Sequence, residues 1–516
     1  MAVSREPAAD PPHGEPPDPP LITTLARWAA GLRFEQIPPR IVELATSQVL
    51  AQLAAIRAGL RHSAGSALVA AFGPPRQPDP RRAAAVLGVL GSWLNLDDTA
   101  YAGHLAPSTV AVPLAYARSG GLDGRALLTA VVAANECAAR ITAAATLGPL
   151  RGQSALHTHL AGAVAGRLSS EGAPGDRWVA ALSLAFAAPP WPMMHAFLGG
   201  DAKLLHVLPS IRTAMDACDA AAAGLTGVPD ILEHPRGFLG RFATVPLPEV
   251  VTDELGRRWH TDTLSFKLRP GGPGVDAAVD CAIELHRRIG GTPIDSVEVA
   301  ASAYTLYAGQ QAAPYLAGPD TPLSALLLDT TYPVATALLT GDLTVADFDT
   351  PAVRDPARWA LAARIRQLHD PAMSRELFCS VAPFGGAVRR AGERGVAWLR
   401  EFVGPELAAL AEPDRPAGGG RSTAHDGVPP EGQRFEESGK ATPARVTVGL
   451  ADGRSLSETR SVPLGAAGPQ TRRQHRELVR GKFLAQGGSG PVADALGGLA
   501  GVAADRLPHL IDAALR

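Results

Sequence analysis

The spacing of apolar residues predicts helices through the first half of the chain. Apolar side chains recur every three or four positions in the first such segment, at Leu21, Leu25, Trp28 and Leu32, which is the period of one helix face. A second helix is expected from Pro38 to Gly59, because proline favours a helix start and glycine follows a helix end. Segments 81–94 and 123–147 are rich in Ala, Val and Leu, as in helices buried on most sides. The pattern predicts a large helical domain over residues 21–261.

The spacing of apolar residues changes near residue 294 from the helical period to an alternating one. Val297, Val299 and Ala301 alternate with other residues, which favours a strand. A second alternating segment, 446–462, is interrupted by Asp-Gly at 452–453 and predicts a hairpin. Helical patterns lie between, at 274–290, 322–340 and 390–411. We therefore expect an α+β domain over residues 262–465.

The pattern returns to helices after Pro469, and we expect residues 466–516 to pack back on the helical domain. The predicted fold is mainly α with an α+β part: a large helical domain built from N- and C-terminal segments, with the smaller domain inserted. Residues 1–20 are Pro-rich and acidic and favour a disordered tail. Residues 412–442 are rich in Gly, Pro, Ser and charge and favour a mobile surface loop.

Composition narrows the class of protein. Of 516 residues, 46% are hydrophobic, and the net charge is −2, which gives no reason to expect nucleic acid or an anionic membrane as partner. The four cysteines are far apart with no C-x-x-C pair, so a zinc ribbon or an iron–sulfur cluster is not expected. We predict a cytoplasmic protein with no metal and no membrane span.

Lysine is rare in this chain, with only four residues among 48 Lys plus Arg. Arginine stays protonated, whereas the pKa of a lysine shifts readily when the residue is buried. Lys203, in Gly-Gly-Asp-Ala-Lys, and Lys267, in Ser-Phe-Lys-Leu-Arg-Pro, stand where an ammonium group would have a function. The alternative is the codon bias of a GC-rich genome.

The densest polar cluster runs from Asn95 to Ser108 and follows an apolar segment. Asp97 and Asp98 are adjacent carboxylates, Thr99 adds a hydroxyl, and His104 adds an imidazole. Such groups at the end of a buried helix are costly unless they are paired or used in chemistry. The alternative is a surface loop in which an aspartate caps a helix.

This cluster resembles a motif of the MmgE/PrpD family, which includes 2-methylcitrate dehydratase and cis-aconitate decarboxylase. Family members carry a motif like D-F-D-D-T followed by H-P-S, and this chain has N-L-D-D-T, then His104, then A-P-S. The resemblance covers about residues 21–510. It continues at N-E-C-A-A-R (135–140), at Lys203 in a K-x-x-H context, at K-L-R-P (267–270), at T-Y-P-V-A (331–335) and at G-K-F (481–483).

The chain departs from the family pattern in the acid–base residues. Asn95 stands where the first acid of the motif is usual, and Ala106 stands where the histidine before Pro-Ser is usual. His104 lies two residues before that position, and either the loop shifts to present His104 or the histidine role is lost. A second family histidine falls near 151–159, where His157 and His159 are spaced i, i+2 and cannot share a helix face. Of the two, His157 is favoured.

The resemblance implies a metal-independent lyase without a cofactor, similar to 2-methylcitrate dehydratase. It would eliminate water from a small hydroxy di- or tricarboxylate. The expected catalytic residues are Asp97, Asp98, Thr99, His104, Lys203 and Tyr332. The expected substrate-binding residues are Asn95, Ser108, His157, Lys267 and Arg269. Alternatives are a decarboxylase similar to cis-aconitate decarboxylase, an epimerase, or an inactive relative. A homodimer is also expected.

Overall fold

The structure is a computed structural model that describes residues 18–101, 103–149, 153–191, 193–272, 274–403 and 434–516. Its helical part begins at Leu21, as the apolar spacing predicts. The helices of this part are α1 Leu21–Ala30, α2 Pro39–Arg61, α3 Ser63–Phe72, α4 Pro80–Ser92, α5 Ala106–Thr109, α6 Ala111–Ser119, α7 Gly124–Ala144, α8 Gln153–Ser170, α9 Gly175–Ala185, α10 Met194–Gly199, α11 Leu208–Ala222 and α12 Phe238–Phe242.

Helices α2, α4 and α7 form the centre of this part because small residues let them approach closely. Gly59 of α2 faces α4, and a Cβ placed on it would lie 2.2 Å from the Leu90 carbonyl oxygen. Any larger residue would push the two helices apart. Nearly every residue of α7 after its first turn is buried. By length and composition α7 could also cross a membrane, but 89% of its most apolar window is buried inside the protein.

The C-terminal helices are α21 Pro469–Ala485, α22 Gly490–Gly497 and α23 Leu507–Ala514, and they pack on the helical part. Phe483 and Ile511 belong to the same apolar core as α2. The Arg57 guanidinium of α2 donates to the carbonyl oxygens of Gln486, Gly487 and Ala514. Three otherwise unpaired carbonyls at these helix ends therefore have a donor.

The inserted part is an α+β unit with its own core. Its four-stranded sheet has the order β5–β4–β6–β7, where β4 is Ile294–Ala301, β5 Ile365–His369, β6 Ala444–Leu450 and β7 Ser455–Arg460. Strand β4 is parallel to β5 and antiparallel to β6. The helices of this unit are α13 Asp276–Ile289, α14 Ala303–Ala312, α15 Leu323–Leu326, α16 Thr331–Thr340, α17 Pro356–Ala362, α18 Pro371–Cys379, α19 Gly386–Ala391 and α20 Glu393–Val403.

A small three-stranded sheet positions the polar cluster. Strand β1, Asp98–Ala100, pairs with β2, Gly103–His104, and on its other side with β3, Ser265–Phe266. Strand β3 leads into the α+β unit, so this sheet stands at the junction of the two parts. The sequence analysis predicts no strand here.

The predicted fold class, mainly α with an inserted α+β part and returning C-terminal helices, is confirmed. The boundary at 261/262 stays a prediction, although Leu264 and Phe266 still belong to the helical core. Residues 1–17 of the expected tail and 412–433 of the expected loop lie outside the described residues. The end of that loop is corrected: Ser438, Lys440 and Thr442 are buried, which a loop on the surface would not be.

Candidate active site

The loop between α4 and β1 carries the polar cluster into the protein interior. Asn95 has a φ of 49°, a left-handed conformation that asparagine tolerates better than most residues. This turn directs the chain from the end of α4 into β1. Asn95 therefore has a role in the backbone conformation that an aspartate would fill less often. Its expected contact with the substrate stays a prediction.

Asp97 and His104 form a hydrogen-bonded pair across the β1–β2 hairpin. Asp97 Oδ2 lies 2.7 Å from His104 Nδ1. Burial raises the pKa of Asp97, but the interaction with His104 and the charges of Lys267 and Lys203 together more than reverse this effect, and Asp97 stays ionised. Burial lowers the pKa of His104, so the imidazole is neutral and Nδ1–H donates to the carboxylate. Nε2 is then the basic nitrogen, on a side chain that is 23% exposed.

Asp98 faces the opposite side of β1. Its Oδ1 accepts a hydrogen bond of 2.9 Å from the Ala106 backbone N–H. Burial raises the pKa of Asp98 to about 6. The two neighbouring aspartates therefore differ: burial and the charge of Asp97 raise the pKa of Asp98, whereas His104, Lys267 and Lys203 outweigh burial at Asp97. Ala106, which stands where the family motif usually has a histidine, contributes the backbone N–H of the hydrogen bond to Asp98.

All four lysines of the chain are buried around this loop, each no more than 5% exposed. Lys203 Nζ donates to the carbonyl oxygens of Ser92 and Trp93, at 2.5 and 3.0 Å. Lys482 Nζ donates to the Leu96 carbonyl at 2.5 Å. Lys440 Nζ donates to Thr99 Oγ1 at 2.9 Å. Three lysines from distant parts of the chain therefore hold one loop, Ser92–Thr99.

The fourth lysine, Lys267, follows β3. Because Phe266 pairs with Asp98 in antiparallel register, Lys267 comes beside Asp97, and its charge helps to keep that carboxylate ionised. Its Nζ donates to the Gly271 carbonyl at 3.1 Å. The Gly-Gly pair after K-L-R-P thus supplies a backbone acceptor.

Burial lowers the pKa of every one of these lysines. The pKa falls to about 7 for Lys203 and Lys482 and to about 8 for Lys440, and it is also lowered for Lys267. Lys203, Lys440 and Lys482 therefore gain or lose a proton near neutral pH, which an exposed lysine does not. Sequence reasoning selected Lys203 and Lys267 and missed the role of Lys440 and Lys482. The scarcity of lysine was itself a signal that applied to all four.

The structure brings His159 rather than His157 to the cluster. His159 Nδ1 lies 3.3 Å from Ser108 Oγ, and the charges of His104, Asp97 and Lys203 act on its imidazole. His157 instead packs edge-to-face on Phe238, with ring centroids 5.0 Å apart. The preference for His157 is corrected, because residues two apart on α8 point to different faces. Ser108 is fully buried beside His159, and its expected contact with substrate stays a prediction.

Two other expected site residues are used elsewhere. Tyr332 lies in the α+β core, where its hydroxyl donates to the Asp347 carbonyl at 2.6 Å and its ring packs on Trp359. Arg269 donates to Asp280 Oδ1 at 2.7 Å. The place of Tyr332 in the α+β core is a correction to its expected place in the site, whereas the expected contact of Arg269 with substrate stays a prediction. A tyrosine in a family-like motif and an arginine after a lysine were also compatible with packing and with an ordinary ion pair.

A narrow pocket opens between the small sheet and the α+β unit. Thr99, Lys267, Lys440, Asp276 and Thr442 contribute to its walls. In this conformation it has room for about one water molecule. Asp276, the first residue of α13, was not selected from the sequence. Among the described residues, no group of three or more His, Cys, Asp or Glu side chains is arranged to hold a metal ion.

Two family models match the chain. The model of the MmgE/PrpD N-terminal domain matches residues 23–249, and that of the MmgE/PrpD C-terminal domain matches residues 273–391, together more than half of the chain. The chain belongs to the MmgE/PrpD family. A search of curated proteins finds no match. Asp97, His104 and Lys203 fall within the first model, whereas Lys267, Lys440 and Lys482 lie outside both matched ranges.

Membership of the MmgE/PrpD family agrees with a dehydratase-like or related function, since the family includes lyases and dehydratases.

Proposed function

We propose that this MmgE/PrpD protein is a lyase that eliminates water from a small hydroxy di- or tricarboxylate. The observation that carries the proposal is the placement of Lys203, Lys267 and Lys482 around Asp97, which is paired with His104, while Lys440 donates to the nearby Thr99. Four buried ammonium groups are costly without anions to neutralise them. Asp97, Asp98 and Asp276 supply three carboxylates, two of them with pKa values raised to about 6. An anionic substrate would complete the balance.

Elimination needs a base for the proton on the carbon next to a carboxylate, and His104 Nε2 fits that role. Ionised Asp97 holds Nδ1–H and stabilises the imidazolium that forms when Nε2 takes the proton. The electron pair of the broken C–H bond forms the new C=C bond as the C–O bond breaks. Lysine ammonium groups stabilise the negative charge that develops on the adjacent carboxylate.

The departing hydroxyl needs a proton, and Lys203 is suited to give it. A lysine with a pKa near 7 transfers a proton to the leaving oxygen far more readily than one with an ordinary pKa. Water then leaves. His104 releases its proton to solvent, and Lys203 takes up a proton from solvent, which restores both groups. The pocket has room for about one water molecule in this conformation and must widen before a substrate can bind.

Decarboxylation and epimerisation on a similar polycarboxylate remain alternatives, because both use the same cations, and epimerisation starts with the same proton abstraction. An inactive relative is the third alternative, and Ala106 and Asn95 motivated it. The Asp97–His104 pair weighs against inactivity, because the hairpin supplies an oriented imidazole although position 106 has none.

The decisive experiment is proton NMR of hydroxy di- and tricarboxylates incubated with the enzyme in deuterated buffer. Appearance of an alkene proton signal, with loss of the signals from the protons next to the hydroxyl-bearing carbon, supports the lyase. Deuterium exchange without net turnover would instead indicate an epimerase, and release of CO₂ a decarboxylase. His104→Asn should abolish the reaction, whereas His195→Asn, a change at an exposed histidine bonded to Tyr315, should not. Absence of any reaction with every candidate would reject the proposal.

We also propose that the protein is a cytoplasmic homodimer, the commonest closed assembly. Cys137, Cys218 and Cys281 are buried free thiols, as in a reducing compartment. Large apolar side chains such as Met193 and Val228 are more than half exposed, and a second copy could cover them. Analytical ultracentrifugation at micromolar concentration tests the assembly, and a species of only 53.4 kDa would contradict it.

A further inference from the structure

Asp276 is a carboxylate in the wall of a pocket that otherwise presents cations. It lines the pocket together with Lys267 and Lys440, and the charges of both lysines, of Asp280 and of Arg269 act on it. Among the described residues, no hydrogen bond reaches its carboxylate. Asp276 is half-buried and borders this pocket, the space that a ligand would fill.

The neighbouring acid, Asp280, shows what a structural carboxylate looks like at the same place. Its Oδ1 accepts from Arg269 at 2.7 Å, and its Oδ2 accepts from the Leu464 backbone N–H at 2.8 Å. Both oxygens are used, and one turn away on the same helix neither oxygen of Asp276 is. A favourable interaction with the helix dipole at the first residue of α13 does not require Asp276 to face a pocket.

The two lysines that face Asp276 have unused hydrogen-bonding capacity. An ammonium group has three donors, and within the described part of the chain Lys267 and Lys440 each make one hydrogen bond, to Gly271 O and Thr99 Oγ1. One substrate carboxylate placed between them would take up two of the remaining donors. A second carboxylate at this end would come against Asp276, and like charges in a desolvated site repel strongly.

We propose that Asp276 is a specificity-determining residue that restricts this end of the pocket to one substrate carboxylate, so that the protein selects dicarboxylates over tricarboxylates. The inference rests on the proposed function. One carboxylate of the substrate lies between Lys267 and Lys440, and the other lies toward Lys203 and His104. The repulsion that excludes a third carboxylate comes from a residue of this chain rather than from a lack of cations.

Calorimetric binding of two unreactive probes, succinate and tricarballylate, at pH 7.5 tests this inference. The wild type should bind succinate at least about tenfold more tightly than tricarballylate, and Asp276→Asn should reduce that preference by about tenfold, a change of about 1.4 kcal/mol. Asp276→Ser, which also keeps a residue suited to a helix start, should act in the same way. Glu284→Gln, a change at an exposed acid of the same helix, should leave the ratio unchanged.

The pH dependence gives a second readout that a purely structural role would not move. Burial raises the pKa of Asp276 to about 6 despite Lys267 and Lys440. Lowering the pH from 7.5 to 5.5 should therefore narrow the preference in the wild type much more than in Asp276→Asn. If the wild type binds both probes and the ratio is the same in Asp276→Asn, this inference is wrong and the proposed function stands. If the wild type binds neither probe, both are rejected.

Discussion

The protein buries two ionic clusters, and they differ in how completely their members are paired. Glu136 and Arg140 of α7 are wholly buried and lie one helix turn apart. Glu136 accepts from the backbone N–H groups of His260 and Thr261 and from the Thr261 hydroxyl. Arg140 donates to the carbonyl oxygens of Asp253 and Arg258 as well as to Glu136. Each side-chain nitrogen of Arg140 and both carboxylate oxygens of Glu136 therefore have a partner, and in this sense the cluster is saturated.

The lysine cluster around Ser92–Thr99 is not saturated. Asp97 Oδ1 is buried without a hydrogen-bond partner among the described residues, and Lys267 and Lys440 each make a single hydrogen bond. Both clusters carry charge in the interior, but among the described residues only the lysine cluster leaves a buried carboxylate oxygen without a partner. The comparison teaches that residual hydrogen-bonding capacity, rather than burial or charge alone, separates a candidate active site from an internal brace.

The largest effect on stability is expected from breaking the saturated cluster. Glu136→Ala leaves Arg140 buried without its carboxylate, and we expect a loss of about 3–5 kcal/mol in the free energy of unfolding. Glu284→Ala, which removes an exposed partner of Arg287, should cost no more than about 0.5 kcal/mol. Chemical denaturation measures both. Equal losses for the two variants would refute the structural role of the Glu136–Arg140 pair.

The largest effect on activity is expected at Lys203. Lys203→Ala should lower kcat/KM by about 100- to 1000-fold, because a preorganised cation is removed from a desolvated site. Lys203→Arg should also fail, since a guanidinium is larger and does not give up a proton near neutral pH. Melting temperatures should stay within a few degrees of the wild type, because the lost hydrogen bonds are offset by relief from burying an ammonium group. Near-full activity of the Arg variant would rule out proton transfer by Lys203.

The pH dependence of stability should also distinguish the lysine cluster from the Glu136–Arg140 cluster. Because folding lowers the pKa of Lys203 to about 7, the unfolded chain binds more protons between pH 7 and about 10, and stability should rise with pH in that window. Lys203→Met should remove up to about 1.4 kcal/mol per pH unit from this slope. The surface change Arg354→Met should not. Urea denaturation from pH 7 to pH 10 checks this, and identical slopes for all three proteins would contradict it.

The smallest effect is expected at Tyr332, which lies outside both clusters. Tyr332→Phe removes the hydrogen bond to the Asp347 carbonyl and should cost about 1 kcal/mol of stability. Activity of the folded protein should not change. A large loss of kcat with normal stability would show that Tyr332 takes part in catalysis.

The fold class followed from the sequence because periodicity reports which face of each element is buried. The Asp97–His104 part of the site also followed, since its members lie seven residues apart in one motif. Lys440 did not, because it is 341 residues from Thr99 and its neighbours are polar, as in a surface loop. Asp276 was not selected either. An aspartate is common in the first turn of a helix such as α13, so the local sequence offers no reason to expect it at the site. The choice between His157 and His159 depended on the rotation of one helix, which spacing alone does not fix.

The scarcity of lysine allows the central claim, that the four lysines form one carboxylate-binding cluster, to be tested directly. Selective ¹⁵N and ¹³C labelling of lysine gives four side-chain signals, which four single Lys→Met variants assign. We predict titration near pH 7 for Lys203 and Lys482, near pH 8 for Lys440 and below the ordinary lysine range for Lys267. Addition of succinate should shift the signals of Lys203, Lys267 and Lys440. Four lysines that titrate near pH 10.4, the ordinary value, and do not respond to succinate would contradict the account.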